Sequence, residues 1–319
     1  MSTNHAEIGM CFPRTYPAAL IKDVARQLES GGADRLWVIE DCFYTAGVSL
    51  SAAALSVTDS LHVGLGIVPA VARNPAITAM EFATLCGLGP GRFTPGIGHG
   101  VQSWMEQMGA RPRSPLTALD EVLVAVRRLL DGEQVTMHGQ YVHLDDVRLD
   151  QPPADPPGVL AGVRGPKSMA LAGRVAGGVV LAEPASPTYV RWSVDQAGRP
   201  DDFHVAVFSA LCVTDDRDSA YRIMAPWLAS MVERANVSLT ELPFFDDLAA
   251  RYAERGVDGL ATIPAEWWTE IGPIGTLDDA AAHILALESA GVHSIGLFPS
   301  LDPEVGMNQI DDVLALTRR

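Results

Sequence analysis

GVLAGVRGPKSMALAGRVAGGVVLAEPASP, residues Gly158–Pro187, contains two unbroken apolar runs with a helical pattern between them. The runs Val159–Val163 and Gly178–Ala182 read as strands. Continuous rather than alternating apolarity is expected where a parallel sheet is covered on both faces. Between them Arg164-Gly165-Pro166-Lys167 forms a turn that opens a helix packed through Met169, Ala170, Leu171 and Val175. Pro166 suits the first helical position, where its missing N–H costs nothing. The whole is a βαβ unit. Its turn lies at the carboxyl end of a strand, so free backbone N–H groups and the positive end of the helix face whatever binds there. A phosphate is the natural guest: Gly162 and Gly165 let backbone amides approach it, and Arg164 or Lys167 supplies positive charge. The alternative is an ordinary turn whose basic residues face water.

Working outward, the same alternation of short apolar runs and helical patterns fills the chain. Candidate strands are Ile8–Pro13, Leu36–Ile39, Val63–Val68 and Arg92–Gly98 before the quoted stretch, and Phe203–Val213 and Val292–Phe298 after it. Helical periodicity follows each, over Pro17–Ser30, Ser51–Val57, Pro75–Leu88, Leu116–Leu130, Tyr189–Gly198, Asp218–Ala235, Thr276–Ala290 and Val305–Leu316. Thr276 with Asp279 three residues on makes an imperfect capping box. Eight strands, each followed by a helix, predict an α/β fold, a (β/α)8 TIM barrel. A doubly wound open sheet has the same element types, but its dinucleotide fingerprint is absent: Gly96-x-Gly98 would need a third glycine at Val101. Residues 1–319 are expected to form a single domain with two interruptions. Residues 134–149 alternate around Gly139 and predict an inserted β-hairpin, joined to the fifth strand by the proline-rich Asp150–Pro157. Residues 238–275, with the Trp267-Trp268 pair and several prolines, predict an irregular insertion near the active-site face.

Bulk properties narrow the function. The chain is 48% hydrophobic and 19% charged, the balance of a globular protein, and carries a net charge of −16. So acidic a surface repels nucleic-acid phosphates and anionic membranes. Cys11, Cys42, Cys86 and Cys212 form no C-x-x-C pair and read as reduced thiols. The opening residues MSTNHAEIGMCFP lack a leader pattern and no apolar run reaches membrane-spanning length, so a cytoplasmic location is expected. The eight histidines are dispersed, without a metal-binding set, and no serine stands in G-x-S-x-G. Hydrolysis by metal or by a serine nucleophile is therefore a poor match.

Chemistry-bearing residues gather at the carboxyl ends of several strands. Asp41 and Cys42 end the second; Asp41 either lines a site or caps the next segment, and nothing nearby would activate the Cys42 thiol. Gly64-Leu65-Gly66-Ile67 puts two glycines inside the third, marking either a bulge with something close against it or a weakened strand. His99 follows the fourth beside Gly100 and can donate a proton or bond a ring carbonyl near neutral pH, or serve as a structural histidine. Trp104 reads as packing, Glu106 as a solvated helix residue, and Glu183-Pro184 ends the sixth strand.

Taken together, Asp41, the third-strand glycines, GRFTPGIGHG, VTMHGQYVHL, the turn G-x-x-G-P-K and IGTLDDAAAHILALESAGVHSIGL resemble luciferase-like monooxygenases. The branch is the one that includes methylenetetrahydromethanopterin reductase and other coenzyme F420-dependent oxidoreductases. The resemblance implies hydride transfer between F420 and a small-molecule substrate. It places Asp41 and Cys42 beside the deazaflavin ring, where the family usually has Asp-His. It also implies a bulge with a non-proline cis peptide at Gly64–Ile67, phosphate contacts from Gly162 to Lys167, and a tail contact at Glu183. Family members usually carry Asp-Gly where this chain has Gly177-Gly178. The same resemblance admits FMN as cofactor, in a monooxygenase fed by a separate flavin reductase, and implies a homodimer through helices after the first three strands. A barrel that has lost its chemistry and only binds is the remaining reading.

Overall fold

The computed structural model describes residues 5–198 and 200–318; four of the residues read for a leader lie outside that range. Eight parallel strands close a barrel: Glu7–Phe12, Arg35–Val38, His62–Pro69, Phe93–Gly98, Leu160–Gly162, Gly178–Leu181, His204–Ala210 and Ser294–Phe298. The first strand pairs with both the second and the eighth, through Gly9 against Arg35 and Gly296 respectively. Closure removes every sheet edge and sends all eight carboxyl ends to one face. The predicted fold class is the observed one.

Helices cover the outside because each presents an apolar stripe to the strands. Several are stopped and started by the chemistry of their ends: Asn74, Ser114, Ser186 and Thr276 each accept a backbone N–H from the first turn. At Thr276 both arms of the capping box form, Asp279 returning a bond to the Thr276 amide. The Val305–Leu316 pattern is two helices, Pro303–Asn308 and Ile310–Thr317, with a turn at Gln309 between them. The hairpin is present as Val135–His138 antiparallel to His143–Val147.

Inside the barrel, Cys11, Trp37, Leu160, Val180, Ala206 and Phe208 form a closed apolar cluster. Trp37 and Phe208 meet edge to face at 5.2 Å. These rings explain the third-strand glycines. A Cβ on Gly64 would fall 2.2 Å from Trp37 Cε3, and one on Gly66 2.5 Å from Phe208 Cζ. Interiors packed to crystal density have no slack for either methyl.

The insertion departs from its sequence reading. Strand seven ends at Ala210 rather than running to residue 213, and Cys212–Val213 leaves the barrel to pair with Ile274–Gly275 in a separate two-stranded sheet. From there a second apolar cluster gathers helices Arg217–Glu233, Phe245–Ala261 and Ala265–Ile271, with Tyr221 stacked on Trp268 at 5.1 Å. The helix expected to cover the barrel after strand seven therefore belongs to this satellite, and Leu277–Ser289 takes its place. Residues 238–275 are mostly helical, not irregular. His283 spans the seam: its Nδ1 donates to the Thr269 carbonyl at 2.7 Å and Nε2 faces Ser209 Oγ at 3.5 Å. No helix among the described residues is long and apolar enough to cross a membrane.

Candidate active site

A cavity of about 1230 Å³ opens at the carboxyl ends of the strands, the face that carries the chemistry in barrels of this type. Its floor is the third-strand irregularity. The register with the fourth strand shifts between Leu65 and Val68, and the Gly66–Ile67 peptide is cis, as the resemblance implied. Ile67 then projects toward the fourth and fifth strands, where a Cβ on Gly162 would fall 2.8 Å from Ile67 Cγ2. Gly162 is thus small for Ile67 as well as for any guest. Gly66, Ile67, Gly100, Gly162 and Val163 all line the cavity.

One wall is charged. Arg14, just past the first strand, donates to Asp41 Oδ2 at 2.8 Å and lies over the Tyr44 ring at 4.9 Å and the Trp104 ring at 6.0 Å. Glu40 next door accepts two bonds from Arg73, at 2.6 and 2.8 Å, and caps the helix Gly47–Leu55 through the Gly47 amide. Glu183 faces the same space. Burial pushes its carboxyl above the usual range, and Arg164 opposes that push. Arg164 reaches the Glu183 carbonyl at 3.4 Å and Asn236 Oδ1 at 3.2 Å, which ties the fifth-strand turn to the insertion. The Tyr189 hydroxyl holds the Arg164 carbonyl at 2.8 Å.

The turn itself leaves backbone donors open. Gly165 caps the helix Pro166–Val175 with no side-chain bond, and nothing lies within 4 Å of where its Cβ would be. Pro166 has no amide hydrogen, so the free donors are the amides of Lys167 and Ser168. Ser168 Oγ is 2.9 Å from His99 Nε2, and burial holds the His99 imidazole below the usual histidine value, with the Pro115 backbone opposing. A neutral imidazole here bonds a ligand without adding charge.

A model of the luciferase-like monooxygenase family matches residues 7–294. The chain belongs to that family. It is 32% identical over 200 residues, 62% of its length, to 5,10-methylenetetrahydromethanopterin reductase of Methanolobus tindarius, of which the match spans 56%. Its fold is similar to the coenzyme F420-dependent tetrahydromethanopterin reductase of Methanopyrus kandleri, with a TM-score of 0.77 at 20% identity over 98% of this chain and 97% of that one. It is also similar to the oxygenating constituent of 3,6-diketocamphane monooxygenase from Pseudomonas putida in complex with FMN, with a TM-score of 0.72 at 17% identity over 97% of each chain.

Within this luciferase-like barrel the structure sorts the expected residues. Asp41, His99, Gly66, Ile67, Gly100, Gly162, Val163, Arg164, Gly165 and Glu183 line one cavity. Cys42 does not: the chain turns over at Phe43, whose φ is 73°, and the thiol sits by Glu40 and Arg73, its pKa raised mainly by burial. Gly64 packs on Trp37, and Leu65 points outward to Gly47. Pro166 and Lys167 are exposed and off the lining, because side chains in a first helical turn radiate away from the helix end that their amides face. At Gly177, a Cβ would fall 2.7 Å from Gly158 Cα, which leaves no room for the usual family carboxylate in this packing. The sequence reading missed Arg14, Ser168, Asn236 and Arg234. Arg14 had a usable signal, since it follows a barrel strand at its carboxyl end; Asn236 and Arg234 had none, because they reach the site only through the insertion. Trp104, read as packing, lines the cavity.

Proposed function

We propose that this chain is an F420-dependent oxidoreductase that moves a hydride between the deazaflavin and a small organic substrate at this cavity. The observation that carries the reading is the convergence of three features on one space. These are an open helix N-terminus at Gly165, the third-strand bulge against the floor, and the Asp41, His99 and Glu183 side chains around them.

The donor set fits the group. The Lys167 and Ser168 amides and the Arg164 guanidinium suit a phosphate. Arg234 also lines the cavity and has no carboxylate partner among the described residues. Together with Arg164 it suits an anionic lactyl-glutamate tail better than the shorter FMN. When bound, the cofactor supplies the carbon that gives or takes the hydride, which no side chain does. The chain's part is to orient and to move protons. The bulge fixes the ring's depth, His99 holds a proton at one ring nitrogen with Ser168 fixing the other role, and Arg14 keeps Asp41 in place at the rim. Glu183, its carboxyl pushed toward the protonated form by burial, is a candidate proton donor on the wall it shares with Asp41.

An FMN-dependent monooxygenase fed by a separate reductase is the second reading, since the anion site at Gly165 accepts either phosphate. The non-catalytic reading is not favoured, because the proton-carrying groups remain on the lining. We also take the whole chain to work as one domain, in the cytoplasm, as a homodimer through Ile77, Met80 and Leu88, exposed on helix Pro75–Leu88. Sedimentation would return a monomer mass if that pairing is wrong.

Titration of the purified protein with F420 and FMN, each oxidised and reduced, tests the reading. Saturable F420 binding that Gly165→Asp removes is the expected result. FMN binding alone would select the monooxygenase, and binding of neither would end both.

A further inference from the structure

The helix Arg217–Glu233 carries a broad apolar arc, part of it buried in the satellite cluster and part of it, half-buried, facing the cavity. Its inner face, with Ala220, Tyr221, Ala225, Leu228, Ala229 and Val232, is buried in the satellite cluster. Met224, Trp227 and Met231 repeat at helical spacing on a second stripe that lines the cavity, with Ile223 beside them. Across the opening stand Phe298, Leu301 and Val305, from the end of the eighth strand and the helix that follows. Ile223, Leu301 and Val305 are 60%, 50% and 51% exposed, so the lobe is open at the mouth, with the uncharged polar residues Thr214, Ser300 and Asn308 beside the apolar ones. A solvated helix carries polar residues on the face away from its core. An apolar face turned into a cavity has instead been kept for a ligand.

Resting on the oxidoreductase reading for its location, we propose that this lobe binds the apolar body of an uncharged substrate. Of the cationic groups on the lining, Arg14 is held by Asp41, and Arg164, bonded to Asn236 two residues past Arg234, is assigned with Arg234 to the cofactor. A phosphorylated sugar or other polyanion would have to leave its charge against Met224, Trp227 and Val305, at a heavy desolvation cost. The carboxylate on this wall is Asp312, half-buried beside Asp311 and Cys212. Gln309 gives one N–H to the Leu211 carbonyl and accepts the Ser300 N–H, so its amide is fixed against the protein backbone.

The test uses straight-chain primary alcohols from butanol to decanol as probes, titrated calorimetrically into the full chain with and without F420. Saturable binding that tightens roughly fourfold per added methylene, the free energy of burying one CH₂, is expected until the lobe fills. Ile223→Asp, at an exposed position, and Met224→Gln should flatten that slope while leaving F420 titration unchanged. Glucose 6-phosphate should not displace octanol. A slope that is absent, non-saturable or unchanged in both variants overturns the proposal, as does displacement by glucose 6-phosphate. Alkylamines binding more tightly than the matching alcohols, through Asp312, also overturn it. Because F420 binding is read separately by deazaflavin fluorescence, its failure counts against the oxidoreductase reading and not against the lobe.

Discussion

On the barrel side of the cavity the arginines are held by partners: Arg14 by Asp41, Arg73 by Glu40 and Glu81, Arg164 by Asn236. On the insertion side a single helix packs Met224, Trp227 and Met231 half-buried against the satellite core and turns their remaining surface into the same space. The first wall rests on a barrel whose interior is packed around Trp37 and Phe208, and the second on a satellite core built around Trp268 and Tyr221. The difference separates tasks. A rigid wall of strand ends fixes positions for a group that is always the same, and a wall carried on an insertion can be changed without disturbing the barrel.

The largest expected effect sets the two cores against each other. Trp37→Ala should cost about 3–5 kcal/mol of global stability, the usual range for emptying a buried aromatic site. Denaturant unfolding would measure it. Trp37 Nε1 has no hydrogen-bond partner among the described residues, so Trp37→Phe should be far milder. Trp268→Ala removes an equally buried ring, yet should loosen hydrogen exchange mainly over residues 217–271. Equal loss of protection in the barrel strands would show that the two cores are one cooperative unit.

Next is the seam. His283 is fully buried and its pKa is pushed down to about 4 by burial, with its bond to the Thr269 carbonyl opposing. The unfolded chain binds that proton near pH 6.5, so stability is complete above that value and falls as pH drops from about 6.5 to 4. A thermal melt series over this window should show the fall, and His283→Gln should flatten it. An unchanged slope in the variant would assign the effect elsewhere, with His204, also pushed down to about 4 by burial, the next group to replace.

Smaller effects compare two glycines on the barrel side. Gly64→Ala drives a methyl into Trp37 and should cost about 1–3 kcal/mol. Gly165→Ala meets open space at a φ of −92° and should change stability by less than about 0.5 kcal/mol. Its effect should show instead as weakened F420 binding. A stability loss at Gly165 matching that at Gly64 would mean the turn is a packing element and not a ligand site.

The barrel was legible because its evidence is local. Strand runs such as Val159–Val163, the Asn74 and Thr276 caps, and the glycine stops after helices each follow from a few neighbouring residues. The turn at Gly165 was legible for the same reason, since a helix start announces its own free amides. Cys42 lies off the lining, and Lys167 meets the site through its amide and not its ammonium, because a sequence gives the end of a strand but not the direction of each side chain beyond it. Gly64 was read toward a ligand when the deciding neighbour is Trp37, on the strand beside it.

The amino-acid sequence by itself determined the order of strands and helices, the barrel class and the helix-opening turn at Gly165, since hydrophobic period, caps and turn residues act over a few positions. Only the tertiary structure decided that Arg14 holds Asp41 and that Asn236 meets Arg164, 72 positions away. It alone also turned the second stripe of Arg217–Glu233 into the cavity, because those contacts join residues whose separation along the chain carries no periodic signal.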